Sequence, residues 1–109
     1  MGGREDMDER EVGRVVRSAA ESVYGVTAVV GPSRLQRLAA SVHLGARGVA
    51  IDDGPPMTVT VDLDVAVGVP VGQVAANVAE KVRYVVQRDL GRSIEKLVVR
   101  VDGREVTTK

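Results

Sequence analysis

The sequence predicts an α+β fold, a two-layer sandwich in which a small mixed sheet of about four strands carries two main helices on one face. Three observations predict it. Thr58 to Val67 alternates without a break, Val59, Val61, Leu63, Val65 and Val67 against Thr58, Thr60, Asp62, Asp64 and Ala66. That is the period of a strand with one buried and one wet face. Pro70 ends the alternation, and Val71, Val74, Ala75, Val78, Val82, Val85 and Val86 then recur at helical spacing. Beyond Gly91, which stands where a helix is closed, Leu97, Val99 and Val101 resume the strand period. If the two strands run parallel, the helix between them makes a right-handed crossover.

The remaining elements follow in chain order. Residues 1–6 read as a solvated tail, and Asp6 or Asp8 caps the first helix, with Glu9 or Glu11 three positions on in a capping-box relation. Val12, Val15, Val16, Ala19, Ala20 and Val23 form its apolar face, and Gly25 ends it. Val26 to Val30 reads as a short strand closed by Gly31-Pro32. Gly31 to Gly48 leaves two readings, a short amphipathic helix built on Leu35, Leu38, Ala39 and Val42 with Ser33 as its cap, or a loop. Val49, Ala50 and Ile51 form a strand, and the turn Asp52-Asp53-Gly54-Pro55-Pro56 makes an antiparallel hairpin with the long strand. The whole is a single domain over 7–105, with 1–6 and 106–109 as flexible tails.

Composition narrows the function classes. The chain has 109 residues, and 44% of them are apolar, yet there is no Trp and no Phe, and the tyrosines are Tyr24 and Tyr84. The core must be built from Val, Leu, Ile and Ala. Fifteen basic residues balance fifteen acidic ones, whereas a nucleic-acid binder draws its affinity from a surplus of Lys and Arg. The same balance argues against direct electrostatic docking on anionic lipid. Without cysteine there is neither a disulfide framework nor a thiolate metal site. No apolar run approaches the roughly 20 residues of a membrane span, and Met1 to Asp6 lacks the apolar segment of a secretory signal. A soluble, cytoplasmic protein is expected.

The candidate sites carry little chemistry. Asp62 and Asp64 point to one side of the long strand, roughly 7 Å apart by the strand rise. Paired carboxylates can do acid–base work or hold a hard cation, but an open sheet face encloses nothing, no third acid is in register, and Arg100 on the next strand can pair with one of them. A solvated face is the reading adopted. His43 is the only histidine and stands beside no nucleophile motif, so it reads as a loop residue. Gly45-Ala46-Arg47-Gly48, near Arg34 and Arg37, matches the G-x-x-G loop of KH RNA-binding domains. That loop joins two helices, whereas this one leads into a strand. Gly68 and Gly72 bracket a helix start without the lysine of a phosphate loop, and read as turn residues. No catalytic, cofactor-binding or metal residue is assigned, no cofactor is expected, and the protein is not read as an enzyme.

Three stretches together carry a resemblance. Val23-Tyr24-Gly25-Val26 follows the first helix; the strand to Val67 leads through Gly68-Val69-Pro70-Val71 into Val74-Ala75-Ala76-Asn77-Val78-Ala79-Glu80-Lys81-Val82; and Leu90-Gly91 leads to Leu97-Val98-Val99-Arg100-Val101-Asp102-Gly103. In order and spacing, over about 12–30 and 49–105, these resemble the alkaline shock protein family, also called the envelope stress response protein family. Segment 31–48 departs from the pattern. The resemblance implies a non-enzymatic bacterial protein of cell-envelope homeostasis, a structural or interaction module. It would have no span of its own and act at the inner face of the membrane through a protein partner, membrane-anchored in some members. Homo-oligomerisation through the sheet is an accompanying expectation. The alternative is a small nucleic-acid-binding domain using the basic segment 34–47, which the zero net charge disfavours.

Overall fold

The computed structural model describes residues 2–30, 43–46, 48–52 and 56–106. They form helices α1 (Gly2–Glu21) and α2 (Val71–Leu90) and strands β1 (Val26–Val29), β2 (His43–Ala46), β3 (Val49–Asp52), β4 (Thr58–Val65), β5 (Lys96–Val101) and β6 (Arg104–Val106). The α+β class is as the sequence predicts. The strand number is not: the hydrogen-bonded path β2-β3-β4-β5-β6 has five strands, and β1 pairs with β4 off that path.

β4 is the axis of the sheet. β5 lies parallel to it, Thr58 to Leu63 facing Lys96 to Val101 in unbroken register. On its other edge β3 pairs antiparallel from Asp52↔Thr58 to Val49↔Val61, and β1 takes over antiparallel from Val29↔Leu63 to Val26↔Val65. The hairpin expected between the short strand and the long one is therefore present, as is the helical crossover to a parallel partner.

Burial follows the alternation. Val59, Val61 and Leu63 of β4 and Leu97, Val99 and Val101 of β5 join Val12, Val16 and Ala20 of α1 and Val74, Val78, Val82 and Val86 of α2 in one core. Both helices thus lie on one face of the sheet. Among the largest fully buried side chains all but Ile51 and Leu63 are valines, each worth roughly 1.5 kcal/mol when removed from water. The α2 stripe is shifted from the expected one at its start. Val71 stays partly exposed and Ala79 is buried in addition. Gly91 closes α2, its N–H donating to the Gln87 carbonyl at 3.0 Å.

Five boundaries differ from expectation. α1 begins at Gly2, so residues 2–6 are helical and neither Asp6 nor Asp8 is the cap residue. It ends at Glu21 rather than at Gly25, which lies at the end of the turn into β1. β4 ends at Val65, and Val67 is fully exposed rather than part of the buried row, because the chain must turn into α2 within a few residues. β2 replaces part of the 31–48 segment read as helix or loop, and the expected short helix lies outside the described residues. β6 extends the ordered domain to Val106, which packs against the core. Its signal was present in the sequence: Asp102 and Gly103 have φ of 58° and 79°, the two positive values of a tight two-residue hairpin, for which Asp-Gly is a favoured pair.

Candidate interaction surface

The sheet face turned away from the helices is where the polar residues of β4 and β5 gather. Thr58, Thr60 and Val98 on it are half-buried, and Asp64 is exposed as expected. Asp62 is not. It is 3% exposed, which overturns the solvated-face reading for this residue and separates it from Asp64; the two do not form an acid pair. Its backbone explains part of the burial. The Asp62 N–H donates to the Gly48 carbonyl at 2.9 Å and its own carbonyl accepts from Val30 N–H at 3.0 Å. Asp62 therefore sits where the β4 edge passes from β3 to β1, with chain close on that side.

The expected partner is confirmed. Asp62 and Arg100 are register neighbours, and Arg100 Nε lies 3.4 Å from Asp62 Oδ1. This is a charge contact rather than a hydrogen bond, since Asp62 Oδ2 and Arg100 Nε are both buried without a hydrogen-bond partner. Arg100 Nη2 donates to the Gly103 carbonyl at 2.7 Å, so one guanidinium ties the β5–β6 turn to the middle of β4. Burial raises the Asp62 carboxyl above its ordinary value, and the Arg100 charge pulls it only part of the way back.

Gly48 is the residue of this region that sequence reasoning missed. It has φ +81°, and a Cβ there would lie 2.6 Å from Val29 Cγ1 and collide with the Val30 carbonyl. Only its appearance at the end of G-x-x-G marked it, and for a different reason. That motif is placed at the connection between the antiparallel strands β2 and β3, not between two helices, so the KH comparison does not hold. His43 opens β2, opposite Ile51, rather than lying in a loop. Arg34, Arg37 and Arg47 lie outside the described residues. Gly68 and Gly72 flank the turn into α2 with open space around them. Among the described residues no group of three or more His, Asp or Glu is placed to hold a metal ion.

Hollows also lie elsewhere among the described residues. A groove of about 400 Å³ follows the seam between α1 and α2, with Arg14, Ser18 and Lys81 along it. There Arg88 forms a close exposed pair with Asp89 at 2.7 Å and lies over the Tyr84 ring. A second, wider hollow of about 940 Å³ opens at the end of the sheet where β4 and β5 finish and α2 begins. No helix among the described residues is long and apolar enough to cross a membrane.

Comparison with known proteins adds the family. Curated proteins and solved structures return no match. The family model of the alkaline shock protein 23 family, described by a cell envelope-related function, matches residues 2–106. That span takes in both helices and every strand, including the 31–48 segment that the sequence resemblance left out. The chain belongs to the alkaline shock protein 23 family, a family of cell envelope-related function.

Proposed function

We propose that the protein is a non-enzymatic interaction module of the bacterial cell envelope, held at the inner face of the membrane by a protein partner. The observation that carries this reading is the family match over 2–106, with its cell envelope-related function. The architecture supports it. The sheet face away from the helices offers Thr58, Thr60 and Val98 beside exposed Asp64, a surface of low charge that a partner can cover at small desolvation cost. The edge that β5 would leave open is covered by β6, so this face rather than the β5 edge is the surface offered. Localisation at the membrane then comes from protein contact rather than from a span.

The test is cross-linking of the tagged protein in its own cells, followed by separation of membrane and soluble fractions, with Thr60→Lys and Val98→Lys as probes. Cross-links to a membrane-anchored protein that one of these changes weakens support the reading. A protein confined to the soluble fraction and unaffected by either change overturns it. RNA retained at about 150 mM salt, where binding resting on few phosphate contacts is weakened, gives the function to nucleic acid instead.

A further inference from the structure

Of the four exposed large hydrophobic residues among the described ones, three lie together, and the fourth, Tyr84, stands apart on α2 beneath Arg88. Val67 is fully exposed, Tyr24 is nearly so, and Val71 is partly exposed. All three stand at one end of the sheet, where the Ala66 N–H donates to the Gly25 carbonyl at 2.8 Å and so holds the α1–β1 turn against the β4–α2 turn. The wide hollow opens at the same end. Its apolar wall comes from Val65, Val71, Val101 and Val106, of which Val101 belongs to the core, Val65 and Val106 pack against it, and Val71 is exposed. Isolated surface valines need no explanation, but apolar residues gathered around a concave opening mark a binding surface.

The charges around this opening decide what it fits. Asp64, Asp102 and Glu105 line it together with Arg104, which leaves a negative balance of two (three acids less one base) in a chain whose total charge is zero. Asp64, Asp102 and Glu105 are exposed. A negative rim around an apolar floor attracts a segment that presents aliphatic side chains between cationic ones, and repels anionic lipid and nucleic acid. Segments of that composition flank the cytoplasmic ends of membrane spans, where Lys and Arg are in excess.

We propose that this end of the sheet is the docking mouth for a short segment of a protein partner, one that inserts aliphatic residues against Val65, Val71 and Val101 and sets Lys or Arg against Asp64, Asp102 and Glu105. The inference rests on the partner-mediated reading above and adds to its sheet face a second contact at the sheet end, the two meeting at Asp64. The aliphatic anchors supply most of the affinity because they fill a desolvated floor, while the rim charges set orientation and encounter rate. The groove between the helices is a poorer host for such a segment, since Arg14 and Lys81 flank it.

The test uses the full chain, isotopically labelled, titrated with a synthetic peptide of alternating leucine and lysine and with its leucine–glutamate counterpart, observed by NMR shift mapping. The lysine peptide should shift Val67, Val71 and the Asp102–Glu105 turn, and the glutamate peptide should bind about tenfold or more weakly, a difference near 1.4 kcal/mol. Val71→Asp adds a favourable charge to the first turn of α2 and Val67→Asp alters a fully exposed residue, so both variants should fold. Val71→Asp should cut lysine-peptide affinity about tenfold, because the lost aliphatic contact outweighs the added rim charge, as should the pair Asp64→Lys with Glu105→Lys. Equal binding of the two peptides, shifts confined to the helix seam, or affinity indifferent to these changes would overturn the proposal. Two further results would do so: binding to vesicles rich in phosphatidylglycerol, or dimerisation abolished by Val67→Asp, which would assign the mouth to a second copy. Membrane cross-links that persist in the Val71→Asp variant would remove this surface while leaving the partner-mediated reading intact.

Discussion

The two edges of β4 are built by different means. On one edge β5 runs parallel for six successive pairs, Thr58↔Lys96 to Leu63↔Val101, with no break in register. It arrives there directly after α2, whose buried row shares one core with both strands. The other edge is divided. β3 covers Thr58 to Val61, β1 covers Leu63 to Val65, and the two meet at Asp62 through the Gly48 carbonyl and the Val30 amide. The β1 pairing is irregular as well, shifting between Val26 and Ala28. The continuous edge is secured by many equivalent valine contacts. The divided edge depends on a few backbone groups that must come within touching distance.

This difference predicts how each side breaks. The continuous side should yield only to a change in the core itself. Val82 is fully buried on α2, and Val82→Asp places an unpaired charge there, a cost on the order of 4–5 kcal/mol or more, comparable with the whole stability of a domain this size. Circular dichroism should show a chain that is unfolded or nearly so at 25 °C. A variant that melts with the parent would refute the assignment of α2 to the core.

The divided side should yield to a single methyl group. Gly48→Ala forces a side chain into a left-handed backbone position and against Val29 and the Val30 carbonyl. Strain of that kind costs about 1–3 kcal/mol alone, and the collision brings the total to about 3 kcal/mol or more. Urea denaturation measures it. Hydrogen exchange should locate the loss, with the amides of Asp62 and Val30 deprotected more than those of β5. Uniform deprotection of both edges would mean that the two sides are one cooperative unit and that the distinction has no energetic content.

How much of this was legible follows the same division. The β4–α2–β5 side was read almost residue by residue, because period two, a proline, period 3.6, a glycine and period two again are all local patterns. The other side depends on segments far apart in sequence. Nothing in Val49-Ala50-Ile51 states that β1 will take over the edge where β3 stops, and Gly48 looks like any turn glycine until Val30 is set against it. Asp62 was misread for the same reason. Its place in the alternation puts it on the outer face, and only the junction of β3 and β1 beside it accounts for part of its burial. β6 is a different kind of miss, since Asp102-Gly103 is a local signal and was open to being used. The candidate surface was legible only as a face. The hollow at the end of β4 and β5 is assembled from five elements, β1, β4, α2, β5 and β6, and has no sequence signature.

The Asp62–Arg100 pair crosses from the divided side toward the continuous one, and its response to pH sharpens the comparison. Burial keeps the Asp62 carboxyl protonated above its ordinary value of 3.8 despite Arg100. Between that value and the raised one the folded state binds more protons than the unfolded state, so stability falls as pH rises through this window and then levels off. Asp62→Asn removes the contribution. The variant should therefore gain on the parent as pH climbs from 3.8 upward, reaching a plateau above the raised value. Arg100→Ala should do the reverse, since it takes away the charge that lowers the carboxyl, and should cost about 1–3 kcal/mol at neutral pH and less in acid. Denaturation curves collected across the acid range measure both. A gap between Asp62→Asn and the parent that is constant with pH would mean that Asp62 titrates as an ordinary surface carboxylate.

The smallest effect is expected two residues further along the same strand. Asp64 has the same side-chain direction as Asp62, yet it is exposed and faces the hollow at the sheet end. By then β4 has passed beyond the end of its β5 register, and Asp64 pairs only with Ala28 of β1. Its carboxylate keeps its water in the folded state, so removing it exchanges one solvated group for another small exposed one. Asp64→Ala should change the unfolding free energy by no more than about 0.5 kcal/mol, against about 1–3 kcal/mol for the loss of Asp62's partner. If it instead destabilises as much as Arg100→Ala, the outer face of β4 is uniformly coupled, and the contrast between buried Asp62 and exposed Asp64 would not reflect how the sheet holds together. If stability is unchanged while affinity for the leucine–lysine peptide falls, the residue belongs to recognition and not to the fold.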